Sequence, residues 1–254
     1  MLFSISETLF IGKQHFQFPV LHSTNEYAIE LLSKSTPPEG TAISTPDQYA
    51  GRGQIGSKWE SEPGKNIALS VILYPGFLAA RDQFRLNIAI SLAVYDFISK
   101  YVAAGVAVKW PNDIYLNDNK IAGILIQNTL QGSNIQSSVV GIGININQVQ
   151  FPKDIAHPTS LQLETGQIYP LNDLMVALCQ CIEYRYLSLK SGNTAAQREE
   201  YLRVMYRYRE PCLFKAVDGS VFSGCITGIS DAGKLQIEGE FGIAEYDLKQ
   251  IKFH

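Results

Sequence analysis

The spacing of hydrophobic positions along this chain predicts helices packed on a sheet. Short, continuous apolar runs are typical of strands, some of them buried on both faces. The strands that this pattern predicts lie at 41–45, 67–73, 106–110, 114–116, 120–127 and 139–146. Apolar residues at helical spacing predict a long amphipathic helix at 79–102 and two more at 171–190 and 194–208. The fold class indicated is therefore α/β.

Local signals set several boundaries. Ser23 followed three residues later by Glu26 fits a capping box, so a helix is predicted to begin there. The segment Asn117-Asp118-Asn119 separates two apolar runs and is a strong hairpin signal. Gly141 and Gly143 weaken the strand at 139–146, which indicates that a ligand or another backbone passes close to it.

The pattern changes after Glu210-Pro211. Residues 212–253 contain only short apolar runs separated by turn residues, as in a small β-barrel. We therefore predict two domains, at 1–209 and 210–254. Fewer than about 50 residues rarely fold alone, so we expect the second domain to lean on the first and contribute to its site.

Composition narrows the class of protein. With 46% hydrophobic and 18% charged residues, the 254-residue chain has the balance of a soluble globular enzyme. Its formal net charge of −3 gives no overall attraction to nucleic acid or an anionic membrane. No apolar run is long enough to span a membrane, and the N-terminus lacks a secretion signal. We therefore expect a cytoplasmic protein.

Cysteine and histidine usage indicates neither a disulfide framework nor a metal centre. The four cysteines form no CxxC pair and have no histidines at zinc-ligand spacing. Buried free thiols are the expected state, in keeping with a reducing compartment. The four histidines are scattered, and no direct protein cluster for a metal ion is predicted.

The loop at about 48–66 is the most informative segment. It is longer than a compact domain usually carries without a functional reason. Its stretch YAGRGQIGSKW places three glycines around Arg52, and glycine allows positive φ and close approach of the backbone to a ligand. Such a backbone with fixed cations suits an anion such as a phosphate. A mobile polar surface loop is the alternative.

Four further segments share this polar and cationic character. They are STN at 23–25, KWPND at 109–113, KIAGILIQ at 120–127 and GIGININ at 141–147. Their hydroxyls and amides both donate and accept hydrogen bonds, which suits a neutral ligand such as a ureido ring. Their lysines and Arg52 suit phosphates and a carboxylate.

Each segment also has a purely structural alternative. The STN segment can cap a helix, Lys109 can be a solvated lysine at a strand end, and Asn112-Asp113 can shape a turn. Asn145 is different, because it is predicted inside a buried strand, where its amide must find partners.

Taken in order, GRG, KWPND, KIAGIL and GIGIN resemble the biotin protein ligase family from about residue 20 to 147, with a weaker resemblance at the C-terminus. The resemblance implies a mixed, largely antiparallel sheet with flanking helices, related to class II tRNA synthetases, and a C-terminal SH3-like barrel. It also implies a two-step reaction. Biotin and MgATP give biotinyl-5′-AMP and pyrophosphate, and a lysine of a biotin carboxyl carrier protein then displaces AMP.

The resemblance also implies roles for individual residues. Those implied to bind biotin are Ser23, Thr24, Asn25, Gln48, Gly51, Arg52, Lys120, Gly123 and Ile124. Those implied to bind ATP or the adenylate are Arg52, Gly53, Gln54, Trp59, Lys109, Asn112, Lys120 and Asn145. Lys120, Arg52 and Asp113 are the candidate catalytic residues, with Asp113 the candidate base for the acceptor lysine.

The chain departs from the family pattern in its loop and at its start. Gln54 and Ser57 stand where the loop often has arginine. The chain reaches STN by residue 23, so we expect no N-terminal helix-turn-helix and no DNA binding. A monomer and a homodimer are both left open.

Two other functions compete with biotin attachment. Lipoate or octanoate attachment shares the superfamily, but its loop resembles RRxSGGGxVxHD, which this chain lacks. A non-enzymatic binding module, with the barrel as its recognition surface, is the third reading.

Overall fold

The computed structural model describes residues 2–5, 7–54, 56–153 and 155–253. Ile55 of the predicted loop and His254 at the end of the predicted barrel lie outside them. Eight of the described strands form one sheet: β1 (Leu2–Phe3), β2 (His15–Gln17), β3 (Ala42–Ser44), β4 (Ile67–Leu73), β5 (Val106–Lys109), β6 (Asp113–Leu116), β7 (Asn119–Gln131) and β8 (Asn134–Ile144). Their order is β1-β2-β3-β4-β8-β7-β6-β5. The pair β2–β3 is parallel and the other pairs are antiparallel.

Helices cover both faces of this sheet. They are α1 (Thr24–Lys34), α2 (Phe84–Ser99), α3 (Leu161–Thr165), α4 (Leu171–Lys190) and α5 (Thr194–Arg203). Helix α1 packs on β3, β4 and β8, whereas α2 packs on β5, β6 and β7 and is backed by α4. Among the described residues, no helix combines the length and hydrophobicity needed to cross a bilayer.

Strand β4 shows why the sheet is buried on both sides. Val71 and Leu73 belong to the main core with α2, while Ile72 belongs to a smaller core with Ala28 of α1. Alternate residues of a strand point to opposite faces, so a continuous apolar run fills two cores. The predicted mixed, largely antiparallel sheet with flanking helices is confirmed.

The last predicted helix is too long. Helix α5 ends at Arg203, five residues before the predicted end at 208. Beyond it, the Val108 N–H donates to the Val204 carbonyl at 2.8 Å, and the Tyr206 N–H donates to the Val108 carbonyl at 2.8 Å. Pairing with the exposed edge of β5 satisfies these backbone groups better than another helical turn, and helical periodicity alone does not reveal such a competitor.

Two hairpins refine the prediction for the central strands. Asn117 and Asp118 form the turn between β6 and β7 with φ of 49° and 64°, and Asn119 already belongs to β7. Strands β7 and β8 extend to a second turn at Gly132-Ser133, which was not predicted because their outer ends are polar and exposed. Strand β8 ends at Ile144, so Asn145 lies just past the strand and not inside it.

The C-terminal segment forms its own antiparallel sheet. Its strands are β9 (Pro211–Ala216), β10 (Val221–Ile229), β11 (Leu235–Gly239), β12 (Gly242–Tyr246) and β13 (Ile251–Phe253), in the order β12-β11-β10-β9-β13. The Trp110 Nε1–H donates to the Gly233 carbonyl at 2.9 Å, and Phe253 packs on Tyr206. The segment therefore leans on the larger sheet, as expected. A domain boundary at 209/210 and closure into an SH3-like barrel stay predictions.

The cysteines are free. Cys179, Cys181 and Cys212 are buried, while Cys225 is half-buried, so the expectation of burial is wrong for that one. Burial raises the pKa of the Cys179 thiol to about 12. A thiol held protonated in this way is a poor nucleophile.

Candidate active site

Small residues at facing positions of three central strands open a hollow in the sheet. Ala68 and Ser70 of β4 lie opposite Gly143 and Gly141 of β8, and Gly143 lies opposite Gly123 of β7. By the alternation of β4, these positions share the α1 face with Ile72. Because no large side chain rises from them, the sheet forms the floor of a cavity of about 240 Å³.

All five segments of the sequence prediction reach this cavity. The predicted site residues that line it are Ser23, Thr24, Asn25, Gln48, Arg52, Gly53, Gln54, Trp59, Asn112, Asp113, Lys120, Gly123 and Ile124. Ten lining residues were not predicted as site residues: Ser57, Lys58, Ala68, Pro111, Leu125, Gly141, Ile142, Gly143, Leu248 and Lys249. The last two come from the C-terminal sheet, whose contribution to the site was expected without named residues.

One end of the cavity is a buried network of uncharged groups. Ser70 Oγ donates to Asn25 Oδ1 at 2.6 Å and lies 2.8 Å from Thr24 Oγ1. Gln48 Oε1 accepts from the Thr24 N–H at 2.8 Å, and Asn25 Nδ2 donates to Gln127 Oε1 at 3.0 Å. Sequence analysis missed Ser70, although a serine at the centre of the apolar run 67–73 is the signal that could have found it.

Two ion pairs also lie at the cavity. Lys120 Nζ lies 2.7 Å from Asp113 Oδ1 across the β6–β7 pair. Arg52 pairs with Glu26, which also contacts His22 at 2.9 Å. The Glu26 N–H donates to Ser23 Oγ at 3.4 Å, so Ser23 caps α1. The predicted capping box is nevertheless only half formed, because the Glu26 carboxylate is occupied by Arg52 and His22.

Asn112 ties KWPND to KIAGIL. Its Nδ2 donates to the Ile124 carbonyl, and its own carbonyl accepts from the Ile124 N–H at 2.9 Å. This backbone-level link fixes Asp113 relative to Lys120. The spacing of the two motifs in the sequence thus corresponds to adjacent strands.

The Trp59 indole lies on a platform of two glycines. A Cβ added to Gly143 would be 2.7 Å from Trp59 Nε1 and Cζ2, and one added to Gly123 would be 3.1 Å from Cζ3. Asn25 covers Gly141 in the same way, because a Cβ added to Gly141 would be 2.8 Å from Asn25 Nδ2. The close neighbours of these strand glycines are therefore side chains and not another backbone; the approach of a ligand, the other alternative that the glycines indicated, stays a prediction.

The glycine-rich loop holds Trp59 in place through its own hydrogen bonds. The Gly53 N–H donates to the Ser57 carbonyl at 2.9 Å, and the Trp59 N–H donates to the Gly51 carbonyl at 3.0 Å. The loop is thus folded back as a short hairpin over the cavity. Trp59 Nε1 is buried without a hydrogen-bond partner, which leaves one donor available to a ligand.

Residues 17–145 match the sequence profile of the biotin/lipoate A/B protein ligase family. The chain belongs to this family. It is 32% identical over 230 residues to the biotin–[acetyl-CoA-carboxylase] ligase of Paracoccus denitrificans, covering 87% of this chain and 92% of that protein. It is 30% identical over 242 residues to the bifunctional ligase/repressor BirA of Bacillus subtilis, covering 93% of this chain and 73% of that protein.

Solved structures show the same fold. The biotin protein ligase from Aquifex aeolicus in complex with biotin and ATP has a TM-score of 0.78 and 24% identity, covering 94% of this chain and 98% of that chain. The biotin protein ligase from Leishmania major in complex with biotinyl-5-AMP has a TM-score of 0.62, 21% identity and coverage of 92% and 98%. The predicted family membership is confirmed.

Three residues implied by the family pattern do not line the cavity. Gly51 belongs to the loop, and a Cβ added to it would be 3.2 Å from Trp59 Cβ. Lys109 donates to the Tyr115 hydroxyl at 2.8 Å and lies 4.9 Å from the Phe253 ring centre, in a separate cavity. Burial lowers the pKa of Lys109. This placement does not support its predicted contact with ATP.

Asn145 is linked to the site indirectly. Its Nδ2 donates to the Thr159 carbonyl at 2.9 Å, and the Thr159 N–H donates to the Lys120 carbonyl at 2.9 Å. Its Oδ1 is buried without a partner. Burial requires partners for both ends of this amide, and in the structure only Nδ2 has one.

A resident metal ion does not fit these residues. In the part of the chain that the structure describes, no group of three or more His, Cys, Asp and Glu side chains could hold one. Asp113 is the carboxylate that lines the cavity, and it is paired with Lys120. Magnesium in nucleotide sites takes much of its coordination from substrate phosphates, so the donor set fits a metal that arrives with ATP.

Proposed function

We propose that this chain activates biotin with ATP to biotinyl-5′-AMP and transfers the biotinyl group to a lysine of a biotin carboxyl carrier protein. One observation carries the proposal: a single cavity is lined both by the uncharged hydrogen-bonding side chains Thr24, Asn25 and Gln48 and by the cations Arg52 and Lys120. The relatives named as biotin ligases support the choice of vitamin. The neighbouring structure named as a complex with biotin and ATP supports the pair of substrates.

The uncharged wall suits the ureido ring of biotin. A ureido group has one carbonyl acceptor and two N–H donors, and it carries no charge. Asn25, Thr24 and Gln48 line the cavity and, with the fully buried Ser70 hydroxyl behind them, form a network of both donors and acceptors. Desolvating the ring is favourable only where such partners replace water, whereas a charged wall would select an ionised ligand instead.

The cations suit the reacting groups. Adenylation joins the biotin carboxylate to the α-phosphate of ATP, so two anions must be aligned and their repulsion reduced. A carboxylate oxygen attacks the α-phosphorus, the bond to the bridging oxygen breaks, and pyrophosphate leaves with the electron pair. Lys120 lies on the floor beside Asp113 and would hold the two reacting groups together.

The loop would then protect the product. The mixed anhydride is labile in water, so closure over it has a chemical purpose. Arg52 would leave Glu26 for the adenylate, and Trp59 would flank the adenine. Gln54 and Ser57 bring no charge to this loop, so retention of the adenylate would depend on the remaining cations.

Transfer needs a base for the acceptor lysine. The attacking ε-amine must lose a proton before it displaces AMP from the biotinyl carbonyl. Asp113 is the carboxylate at the cavity wall, and its Oδ1 lies 2.7 Å from Lys120 Nζ. We therefore assign this role to Asp113 within the proposal.

A biotin-dependent ATP–pyrophosphate exchange assay tests the first step. We expect exchange with biotin and none with lipoate or octanoate, because the uncharged wall matches a ureido ring that those acids lack. Mass spectrometry of a biotin carboxyl carrier domain then tests transfer, with a gain of one biotinyl group on its lysine. Exchange with lipoate alone, or none with either acid, would reject the proposal.

A further inference from the structure

A bulge in β7 sets the direction of Lys120. On β6, Ile114 lies opposite Ala122 and Tyr115 lies opposite Lys120, so Ile121 has no partner on that strand. Ile121 and Ala122 are consecutive residues, yet both are buried in the main core. Regular alternation would place them on opposite faces of the sheet. The extra residue therefore reverses the facing of the residues that precede it.

This reversal brings Lys120 into the cavity. In an unbroken strand, Lys120 would face the same side as Ala122 and enter the core with it. Instead it shares the cavity face with Gly123, where an added Cβ would be 3.5 Å from Lys120 Cε. Its Nζ lies 2.7 Å from Asp113 Oδ1. The position of the ammonium therefore depends on the bulge keeping its shape.

A separate segment covers the bulge. Strand β8 ends at Ile144, so β7 would present an unpaired edge beyond it, and residues 157–159 pair with that edge. The Lys120 N–H donates to the His157 carbonyl at 2.7 Å, and the Thr159 N–H donates to the Lys120 carbonyl at 2.9 Å. Both backbone groups of Lys120 are thus held by one short segment.

Side chains hold Thr159 from two sides. The Asn145 Nδ2 donates to its carbonyl at 2.9 Å, and its own Oγ1 donates to Glu164 Oε1 at 2.5 Å. Glu164 Oε2 also accepts from Asn117 Nδ2 at 3.1 Å, in the turn before β7. The carboxylate therefore links the segment to the hairpin that carries Lys120. Thr159 itself is buried and does not line the cavity.

We infer that Thr159 is a positioning residue, because its hydroxyl keeps residues 157–159 against the bulge and so keeps the Lys120 ammonium in the cavity. The inference rests on the proposed function, in which Lys120 aligns the two reacting anions. A displacement of about 1 Å in such a group can reduce a rate about 10²-fold. Loss of the hydroxyl should cost less, about tenfold, because the backbone hydrogen bonds of the segment remain.

Three variants separate this role from a general loosening of the region. Thr159→Val removes the hydroxyl with little change in shape, and Thr159→Ser keeps the hydroxyl. Thr165→Val is the matched control, because Thr165 Oγ1 donates to the Leu161 carbonyl at 2.7 Å within α3 and Thr165 does not line the cavity. It removes a hydroxyl from the same short helix that carries Glu164.

In biotin-dependent ATP–pyrophosphate exchange, we expect Thr159→Val to lower kcat about tenfold, while the KM values for ATP and biotin stay within about twofold. Thr159→Ser should recover most of the rate, and Thr165→Val should keep it. In a Lys120→Met background, Thr159→Val should have no further effect, because the side chain whose direction it sets is absent. The Lys120 amide N–H should exchange with solvent about tenfold faster in Thr159→Val than in the unmodified chain.

The contrary outcomes are distinct. A kcat for Thr159→Val equal to that of Thr165→Val would overturn the inference, as would the same tenfold loss in the Lys120→Met background. A Thr159→Ser variant as slow as Thr159→Val would also overturn it, because the loss would then come from packing and not from the hydroxyl. If the unmodified chain shows no biotin-dependent exchange, the proposed function fails. Unchanged protection of the Lys120 amide in Thr159→Val would separately show that the hydroxyl does not hold the bulge.

Discussion

Replacing Gly143 by alanine tests whether the glycine platform positions Trp59. The new Cβ would lie 2.7 Å from Nε1 and Cζ2 of the indole. Favourable carbon contacts lie at about 3.5–4.0 Å, so the ring must retreat by about 1 Å. Strand β8 cannot retreat instead, because Gly143 pairs with β4 on one side and with β7 on the other.

The expected cost falls on activity more than on stability. Trp59 belongs to a loop whose neighbouring residues are largely exposed, so the loop can shift, and the free energy of unfolding should fall by about 1 kcal/mol, the low end of overpacking. A misplacement of about 1 Å can reduce a rate about 10²-fold. We therefore expect kcat/KM for ATP to fall about 100-fold, equivalent to about 2.7 kcal/mol.

Biotin-dependent exchange and urea unfolding measure the two quantities. Gly239→Ala is the matched control, because Gly239 is also a strand glycine and a Cβ there has its nearest neighbour at 3.8 Å, the Ser223 carbonyl oxygen. The reasoning is refuted if Gly143→Ala exchanges as fast as Gly239→Ala. It is also refuted if Gly143→Ala loses activity only in proportion to a loss of folded protein.

Three other predictions follow from the site and the core. Lys120→Met should slow adenylate formation by about 10²-fold or more, because a preorganised donor is lost; near-normal exchange would rule out its role. Cleavage by trypsin at Arg52 and Lys58 should slow when biotin and ATP are added, and equal cleavage would contradict closure of the loop. Burial lowers the pKa of His15 from 6.5. As the pH falls below about 6.5, the ring therefore takes up a proton in the unfolded state before it does so in the folded state. The free energy of unfolding should be highest above about pH 6.5 and should decline as the pH falls toward the native pKa. His15→Gln should flatten that decline in urea unfolding at pH 5 to 7.5, and an unchanged slope would assign it to other groups.

Local periodicity was sufficient where one segment alone decides the structure. The strand at Ile67–Leu73 and the helix at Leu171–Lys190 lie where predicted, because burial on both faces and a long apolar stripe leave few alternatives. It failed at the end of α5. There the edge of β5 competed for the backbone of residues 204–206, and that partner lies almost 100 residues away in the chain.

The candidate site was also predicted only in part from the sequence. The residue types of the motifs indicated the ligands. Asn, Gln, Ser and Thr side chains suit an uncharged polar group, and Arg52 and Lys120 suit two anions. The order of the motifs identified most of the residues that line the cavity. Lys109 and Asn145 do not line the cavity. The residue type does not say on which side of a strand or beyond which strand end a side chain will lie.

The sequence by itself determined the class of fold, the family and the functional groups available for binding and reaction. Periodicity, turn residues and functional groups are local properties of the chain. Only the tertiary structure decided which groups meet. Glycines on β7 and β8 become a floor because the register sets Gly123 opposite Gly143, and Lys249 reaches the cavity because the second sheet packs against the first. Register and packing are set by contacts between distant segments, and those contacts carry no local signature.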